Sequence, residues 1–313
     1  MESLTTKEAV KKLKAGKVIV FPTETVYGLG ADASNDSAVA SVYEIKNRPT
    51  FNPLIIHYSS IDLAKKDAVF NENASKLAAA FWPGPLTLVL QKKISANISL
   101  LATAGLDTVA IRIPSHPLAL ELLDEFGGPI AAPSANPSGY VSPTSIEHVK
   151  KMFHQTPLPI LDGGSCTVGL ESTIIDLSDE VPILLRPGGI TEEKITRLIG
   201  PLAQKAGSKQ IKSPGQQLSH YAPKIPLRMK ATYVRPKEAY LGFGKHEYDQ
   251  GAHLLNLSPK GDLIEAAANL FAMLHELDDP IYDGIAVAPI PETGLGVAIN
   301  DRLKRAAGER PIN

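Results

Sequence analysis

Cysteine is nearly absent. Cys166 stands alone among 313 residues, which excludes an internal disulfide, an Fe–S cluster and a zinc ribbon, because each needs several thiolates. Such usage fits a reducing cytoplasm, the expected location. Long apolar runs are missing too. Nothing approaches the roughly 18 consecutive apolar residues of a membrane span, and the opening MESLTTKEAVKKLKAG is amphipathic rather than signal-like. A soluble, unprocessed chain with no membrane partner is expected. Neither sign of charge dominates, with 32 Lys plus Arg against 33 Asp plus Glu and a net charge of -1. Whole-molecule electrostatics therefore does not drive binding to nucleic acid, and any such contact must come from a local patch. Catalytic signatures are missing as well. Without G-x-x-x-x-G-K-[ST], any ATP is held outside a Walker loop. Without H-E-x-x-H or another close histidine pair, a zinc site is not expected. Without G-x-S-x-G there is no nucleophile elbow.

What is present is turn chemistry and alternation. The 24 glycines and 25 prolines cluster in short motifs rather than low-complexity tracts, so shaped turns near a site are expected. Apolar, β-branched-rich runs such as KVIVF (17–21), LIIHY (54–58), LTLVLQ (86–91) and VAIRI (109–113) alternate with helical patterns such as HPLALELLDEF (116–126). That alternation predicts an α/β domain over 1–200, a twisted mixed sheet flanked by helices rather than an all-parallel sheet. Residues 201–230 then carry six Lys or Arg and no Asp or Glu, which reads as a basic, semi-extended linker. Residues 231–313 read as a small Rossmann-like α/β domain, and a two-domain chain suits this length.

The polar motifs carry the chemistry. Gly28-Leu29-Gly30-Ala31-Asp32-Ala33 matches G-x-G-x-x-A formally, yet its glycines come seven residues after the strand and no acid follows at the ribose-binding distance. PTETVYGLG (22–30) reads instead as a polar loop whose glycines let backbone approach a ligand, while Thr23, Glu24, Thr25 and Tyr27 present hydroxyls and one carboxylate. Lys46-Asn47-Arg48-Pro49 and Asn52-Pro53-Leu54 place two cations and an amide on a proline-fixed backbone, as recognition of phosphate or purine requires. His57 and Arg112 are polar residues inside apolar strands. A buried arginine is costly without an anion, so Arg112 demands a carboxylate, from the protein or from a ligand. Ser134-Ala135-Asn136-Pro137-Ser138-Gly139, Ser172-Thr173 and Arg186-Pro187-Gly188-Gly189 complete the set. All sit at strand ends, which predicts one shared crevice.

In this order PTETVYGLG, the K-x-R with NPL and His57, the AIR strand, PSAN, LESTIIDL and LRPGG resemble the YrdC-like domain. With SPGQQLSHYAP and the small α/β tail, the whole chain resembles the two-domain L-threonylcarbamoyladenylate synthases. The resemblance implies a nucleotidyltransferase that joins L-threonine, bicarbonate or CO2 and ATP into threonylcarbamoyladenylate with release of pyrophosphate. The product would pass to a tRNA threonylcarbamoyl transferase machinery. No protein nucleophile is implied; positioning and electrostatics suffice, with Lys46, Arg48 and Arg112 most critical. The family pattern places Thr25, His57, Arg112, Ala132 and Ser172 around threonine. It places Lys46, Arg48, Asn52, Thr108, Ser134, Ser142, Arg186 and Tyr221 around ATP, with Mg2+ bound mainly through the phosphates.

The length and prolines of the linker predict a lid that folds back over the first domain, with Tyr221 reaching the nucleotide and water kept from a labile adenylate. Two rival classes stand beside this reading. One is an RNA-binding module of the YrdC-like type, with weak tRNA contact through the basic linker. The other is a carbamoyl-transfer domain of a larger maturation enzyme, whose zinc-finger segment the single cysteine excludes.

Overall fold

Two sheets form, each from the alternation seen in its own part of the chain. The computed structural model describes residues 3–204, 213, 221–245 and 253–308. The first unit runs β1 (Ser3–Leu4), α1 (Thr6–Lys14), β2 (Ile19–Phe21), β3 (Gly28–Asp32), α2 (Asp36–Lys46), β4 (Ile55–His57), α3 (Ile61–Asp67), α4 (Glu72–Phe81) and β5 (Leu86–Gln91). It continues β6 (Thr108–Arg112), α5 (Pro117–Phe126), β7 (Ile130–Ala131), α6 (Ile146–Met152), β8 (Ile160–Leu161), β9 (Thr173–Asp176), β10 (Ile183–Arg186), α7 (Glu192–Ile199) and β11 (Ala203–Gln204). The second unit holds β12 (Leu227–Arg228), β13 (Glu238–Gly242), β14 (Leu254–Asn256), α8 (Leu263–Leu277), β15 (Gly284–Val287) and α9 (Leu295–Ala306). Both β11 and β12 fall inside the 201–230 stretch. Residues 205–212 and 214–220, with the basic positions Lys205, Lys209 and Lys212 and with Ser219-His220, lie outside the described residues.

The large sheet is mixed, with strand order β1-β8-β2-β3-β7-β4-β6-β5-β9-β10-β11. Strands β2, β5, β7 and β9 run one way, and β3, β4, β6 and β10 the other. Period-two alternation then sends Ile56, Leu88, Ile111 and Ile175 to one face, where α2, α4, α6 and α7 cover them. On the opposite face α1 and α5 cover only the part around Ile19, Phe21 and Ile130. Over β4, β6, β5, β9 and β10 that face holds a small apolar strip, Ile55, Ala110, Val89, Ile174 and Leu185, with no helix in its cluster. This strip becomes the floor of the site.

The small sheet is parallel throughout, in the order β12-β15-β13-β14. Its helices α8 and α9 share an apolar cluster with Val26, Val141 and Leu170 of the first unit, so the second unit docks on the loops around that floor. No helix among the described residues is long and apolar enough to cross a membrane.

A histidine pair lies in the docking contact. The rings of His148 on α6 and His275 on α8 stack with centroids 4.1 Å apart. His275 Nε2 donates to the Ser142 carbonyl at 3.1 Å, and His148 Nδ1 accepts from the Thr144 N–H at 3.2 Å. Burial leads the causes that push His275 down to about 3 and His148 to about 4, so both rings are neutral near pH 7. Their folded pKa values lie below the unfolded value of about 6.5, so the unfolded chain binds more protons between these limits and stability falls with pH. Urea midpoints should drop from pH 7 to 4.5, with His275 contributing at most about 1.4 kcal/mol per pH unit. His275→Gln keeps the donor but cannot titrate. It should flatten that part of the profile, and an identical slope in the variant would contradict this account.

Candidate active site

Helix α2 ends at Asn47 in the left-handed conformation, φ 50°, a turn that sends the two buried cations on either side of it to different partners. Arg48 Nε donates to the Asn52 carbonyl at 3.1 Å and its Nη2 to the Pro53 carbonyl at 2.9 Å. Burial lowers its guanidinium to about 10, so it stays charged at neutral pH. Lys46 turns the other way. Its ammonium donates to the Ser134 carbonyl at 2.6 Å and to the Asn136 carbonyl, pinning the PSAN loop from behind. Lys46 is 1% exposed and is not on the cavity wall. Burial, then the Arg48 charge, holds its pKa well below the usual lysine value.

Arg112 ends β6, in register with His57 on β4 and Thr87 on β5. Its partner is internal: Nη2 donates to Glu24 Oε1 at 2.6 Å and Nη1 to Thr25 Oγ1 at 2.8 Å, both from the 22–27 loop folded back over the sheet. Of the two sources of negative charge that the sequence left open, the protein supplies one. Among the described residues Arg112 Nε is buried without a partner, as is His57 Nδ1. Burial, then the adjacent Arg112 charge, pushes His57 down to about 3, so a neutral imidazole faces the cavity. Cys166 is buried, and burial raises its thiol to about 12, which leaves no thiolate nucleophile at neutral pH.

The two glycines of PTETVYGLG, expected to face a ligand, have another cause in part. Gly28 and Gly30 lie in β3 rather than in a loop, paired with Phe21 and Ile19 of β2. A Cβ at Gly30 would come within 2.7 Å of the Phe21 ring, so glycine there makes room for Phe21. That ring in turn meets His57 edge-on at 6.0 Å and fixes the imidazole. Gly28 does line the cavity.

The cavity brings together His57, Arg112, Ala132, Ser172, Arg48, Ser134, Arg186 and Tyr221 of the residues singled out in the sequence. Thr25 sits just behind, on Arg112, and Ser142 behind Glu171, which accepts from its hydroxyl at 2.6 Å. Asn52 is buried beside Arg48, its Oδ1 without a partner. Thr108 lies on the Arg112 face of β6 but at its opposite end, about 13 Å away at ~3.3 Å per residue. The motifs therefore do not meet at one edge. His57, Arg112 and Arg186 close their strands at one end of the sheet, while Ser134 follows β7 at the other, and the cavity runs across the face between them. Tyr221, at φ 63°, reaches the wall from the linker with its ring stacked on Phe271 of α8 at 5.6 Å. Of the wall residues, Thr23 was noted only as a loop hydroxyl and Glu171 only as part of LESTIIDL. Val26, Ile55 and Pro133 carried no polar signal.

Residues 11–188 match the family described as "Telomere recombination", and residues 190–308 the family described as "Threonylcarbamoyl-AMP synthase, C-terminal domain". The chain is 42% identical to the threonylcarbamoyl-AMP synthase of Bacillus subtilis, covering 97% of this chain and 93% of that protein. It belongs to the threonylcarbamoyl-AMP synthase family. The threonylcarbamoyl-AMP synthase of Pyrococcus abyssi is 41% identical over 96% of this chain and 93% of its own. A crystal structure of P. abyssi Sua5 complexed with L-threonine superposes with a TM-score of 0.88 at 38% identity, covering 96% of this chain and 94% of that one. Both domains of this threonylcarbamoyl-AMP synthase family member, and their arrangement, are thus shared with that structure.

The Glu24–Arg112 pair gives a stability test. Both side chains are under 10% exposed, at 7% and 4%, and removing one partner of a buried pair leaves an uncompensated charge. Arg112→Ala should cost about 3–5 kcal/mol of unfolding free energy, while Glu24→Gln combined with Arg112→Met should recover most of it. Urea unfolding decides. A single variant as stable as the parent would show that the pair is dispensable.

Proposed function

We propose that this protein makes L-threonylcarbamoyladenylate from L-threonine, bicarbonate or CO2, and MgATP, for threonylcarbamoyl modification of tRNA. The observation that carries the reading is a cavity with three buried arginines, Arg48, Arg112 and Arg186, hydroxyls from Thr23, Ser134 and Ser172, and no activated nucleophile. Such a wall suits a reaction in which the substrates react with each other and the protein only holds and stabilises. The threonine amine adds to the inorganic carbon, losing a proton and releasing water when bicarbonate is the source. A carbamate oxygen then attacks the α-phosphorus, the α–β phosphoanhydride breaks, and pyrophosphate leaves.

In this reading Thr25, His57, Arg112, Ala132 and Ser172 surround threonine, with the unpartnered Arg112 Nε offering one donor to an anionic oxygen. His57, neutral at pH 7, can accept or donate a hydrogen bond without repelling an ammonium. Arg48, Arg186, Ser134 and Tyr221 face the nucleotide, Asn52 and Thr108 border it, and Lys46 and Ser142 act from behind by fixing the Ser134 loop and Glu171. Glu24 and Glu171 are both engaged by arginines. That donor set suits Mg2+ held by phosphate oxygens and water, arriving as part of MgATP.

Mass spectrometry of a reaction with threonine, bicarbonate and MgATP should find threonylcarbamoyladenylate. Pyrophosphate should appear only when both threonine and bicarbonate are present. Orthophosphate release independent of threonine, as the sole activity, would remove this reading. Tight RNA binding with no adenylate formed would favour the RNA-binding alternative.

A further inference from the structure

Among the described residues Glu171 is the single carboxylate on the cavity wall, where the other charged side chains are arginines. A carboxylate there opposes a polyanion unless something restrains it. The restraint comes from the other domain. Arg302 of α9, 131 residues away, donates from Nε to Glu171 Oε2 at 2.8 Å, and the Ser142 hydroxyl donates to Oε1 at 2.6 Å. Arg302 is wholly buried, its Nη1 goes to Asp301 at 2.7 Å, and its guanidinium lies 5.2 Å from the Tyr221 ring centroid. Burial alone would raise the Glu171 pKa, but the charges of Arg302 and then Arg186 outweigh it and leave it at about 2.

Arg186 is the alternative partner. It feels the Glu171 charge, yet among the described residues it makes no ion pair. Its Nε and Nη2 donate to the Ser172 carbonyl at 3.1 and 2.9 Å and its Nη2 to the Ser172 hydroxyl at 3.1 Å. Ser172 follows Glu171 directly in the chain, so Arg186 grips the residue beside the carboxylate through neutral oxygens. After Arg302, Arg186 is the cation whose charge acts most on the Glu171 carboxylate, and both side chains line the same wall.

We propose that Arg302 is a positioning residue that keeps the Glu171 carboxylate away from Arg186, so that Arg186 is open to ATP phosphates only while the second domain is docked. Docking and nucleotide binding are then reciprocally coupled, as any two linked equilibria must be. The inference rests on the reading of this cavity as an ATP site and adds the control of that site by the second domain.

The test is a charge-suppression experiment on the full chain, with ATP affinity measured by calorimetry in the absence of threonine. Arg302→Met should weaken ATP binding by about 5- to 150-fold, the usual span of coupling between sites. Adding Glu171→Gln to it should restore affinity to within roughly threefold, because the competing carboxylate is gone, and Arg302→Lys should stay near wild type. Threonine affinity, measured separately, should move less than ATP affinity in each variant. A purely structural role predicts no rescue. If Arg302 only holds the domain or the Tyr221 ring in place, the double variant is no better than Arg302→Met, and the proposal fails. It fails equally if a folded Arg302→Met binds ATP as the wild type does. Wild-type protein that binds no ATP would instead overturn the reading of the site itself, and this inference with it.

Discussion

Positive charge on an apolar sheet face is the constraint to which the rest of the site answers. Arg48, Arg112 and Arg186 are each under 10% exposed, at 7%, 3% and 3%, and water cannot solvate them there. Three solutions are used. Arg112 has a full ionic partner in Glu24, Arg48 spends its donors on the carbonyls of Asn52 and Pro53, and Arg186 spends its own on Ser172. Carbonyl dipoles stabilise a guanidinium without cancelling its charge, so two of the three arginines keep a net field in the cavity. Loops, not strands, supply most of these carbonyls and the Glu24 carboxylate. This explains why the chain folds the 22–27 segment back over the floor and fixes the 48–54 turn with prolines at positions 49 and 53.

The same constraint reaches into residues that carry no charge. A neutral His57 depends on burial and on the adjacent Arg112 charge, while the edge of Phe21 packs against its ring. Phe21 fits only because Gly28 and Gly30 lack side chains, a Cβ at Gly30 falling 2.7 Å from the ring. Glycine identity in β3 is therefore tied to the packing of an imidazole on β4, through one aromatic ring.

Much of this was legible in the sequence. LTLVLQ and VAIRI are β5 and β6 almost residue for residue, because short apolar runs rich in β-branched residues suit strands buried on both faces. Mixed pairing followed from the number of strands. Two-residue strands such as β1, β11 and β12 lie below what periodicity can resolve, and they exist because a neighbour pairs with them. The motifs were identified, but not their layout across the sheet, since only strand direction reveals that His57 and Ser134 stand at opposite ends. Lys46 read as phosphate-facing because a cation beside Arg48 invites that reading, and the sequence gives no hint that two carbonyls of the PSAN loop claim its ammonium. Glu171 stayed hidden inside LESTIIDL because its meaning comes from Arg302, and a contact across 131 residues leaves no local pattern.

The second domain is thereby more than a companion. Its helices bury Val26, Val141 and Leu170 beside the site, its Phe271 carries the Tyr221 ring, and its Arg302 holds Glu171. Each contact lands on a loop of the first sheet or on the linker rather than on the sheet itself. Loops are the least rigid parts of such a scaffold, so an arrangement that must place guanidiniums around a mixed anhydride gains most where they are braced. Tyr221 is braced in the same way, buried with its ring stacked on Phe271 of the second domain.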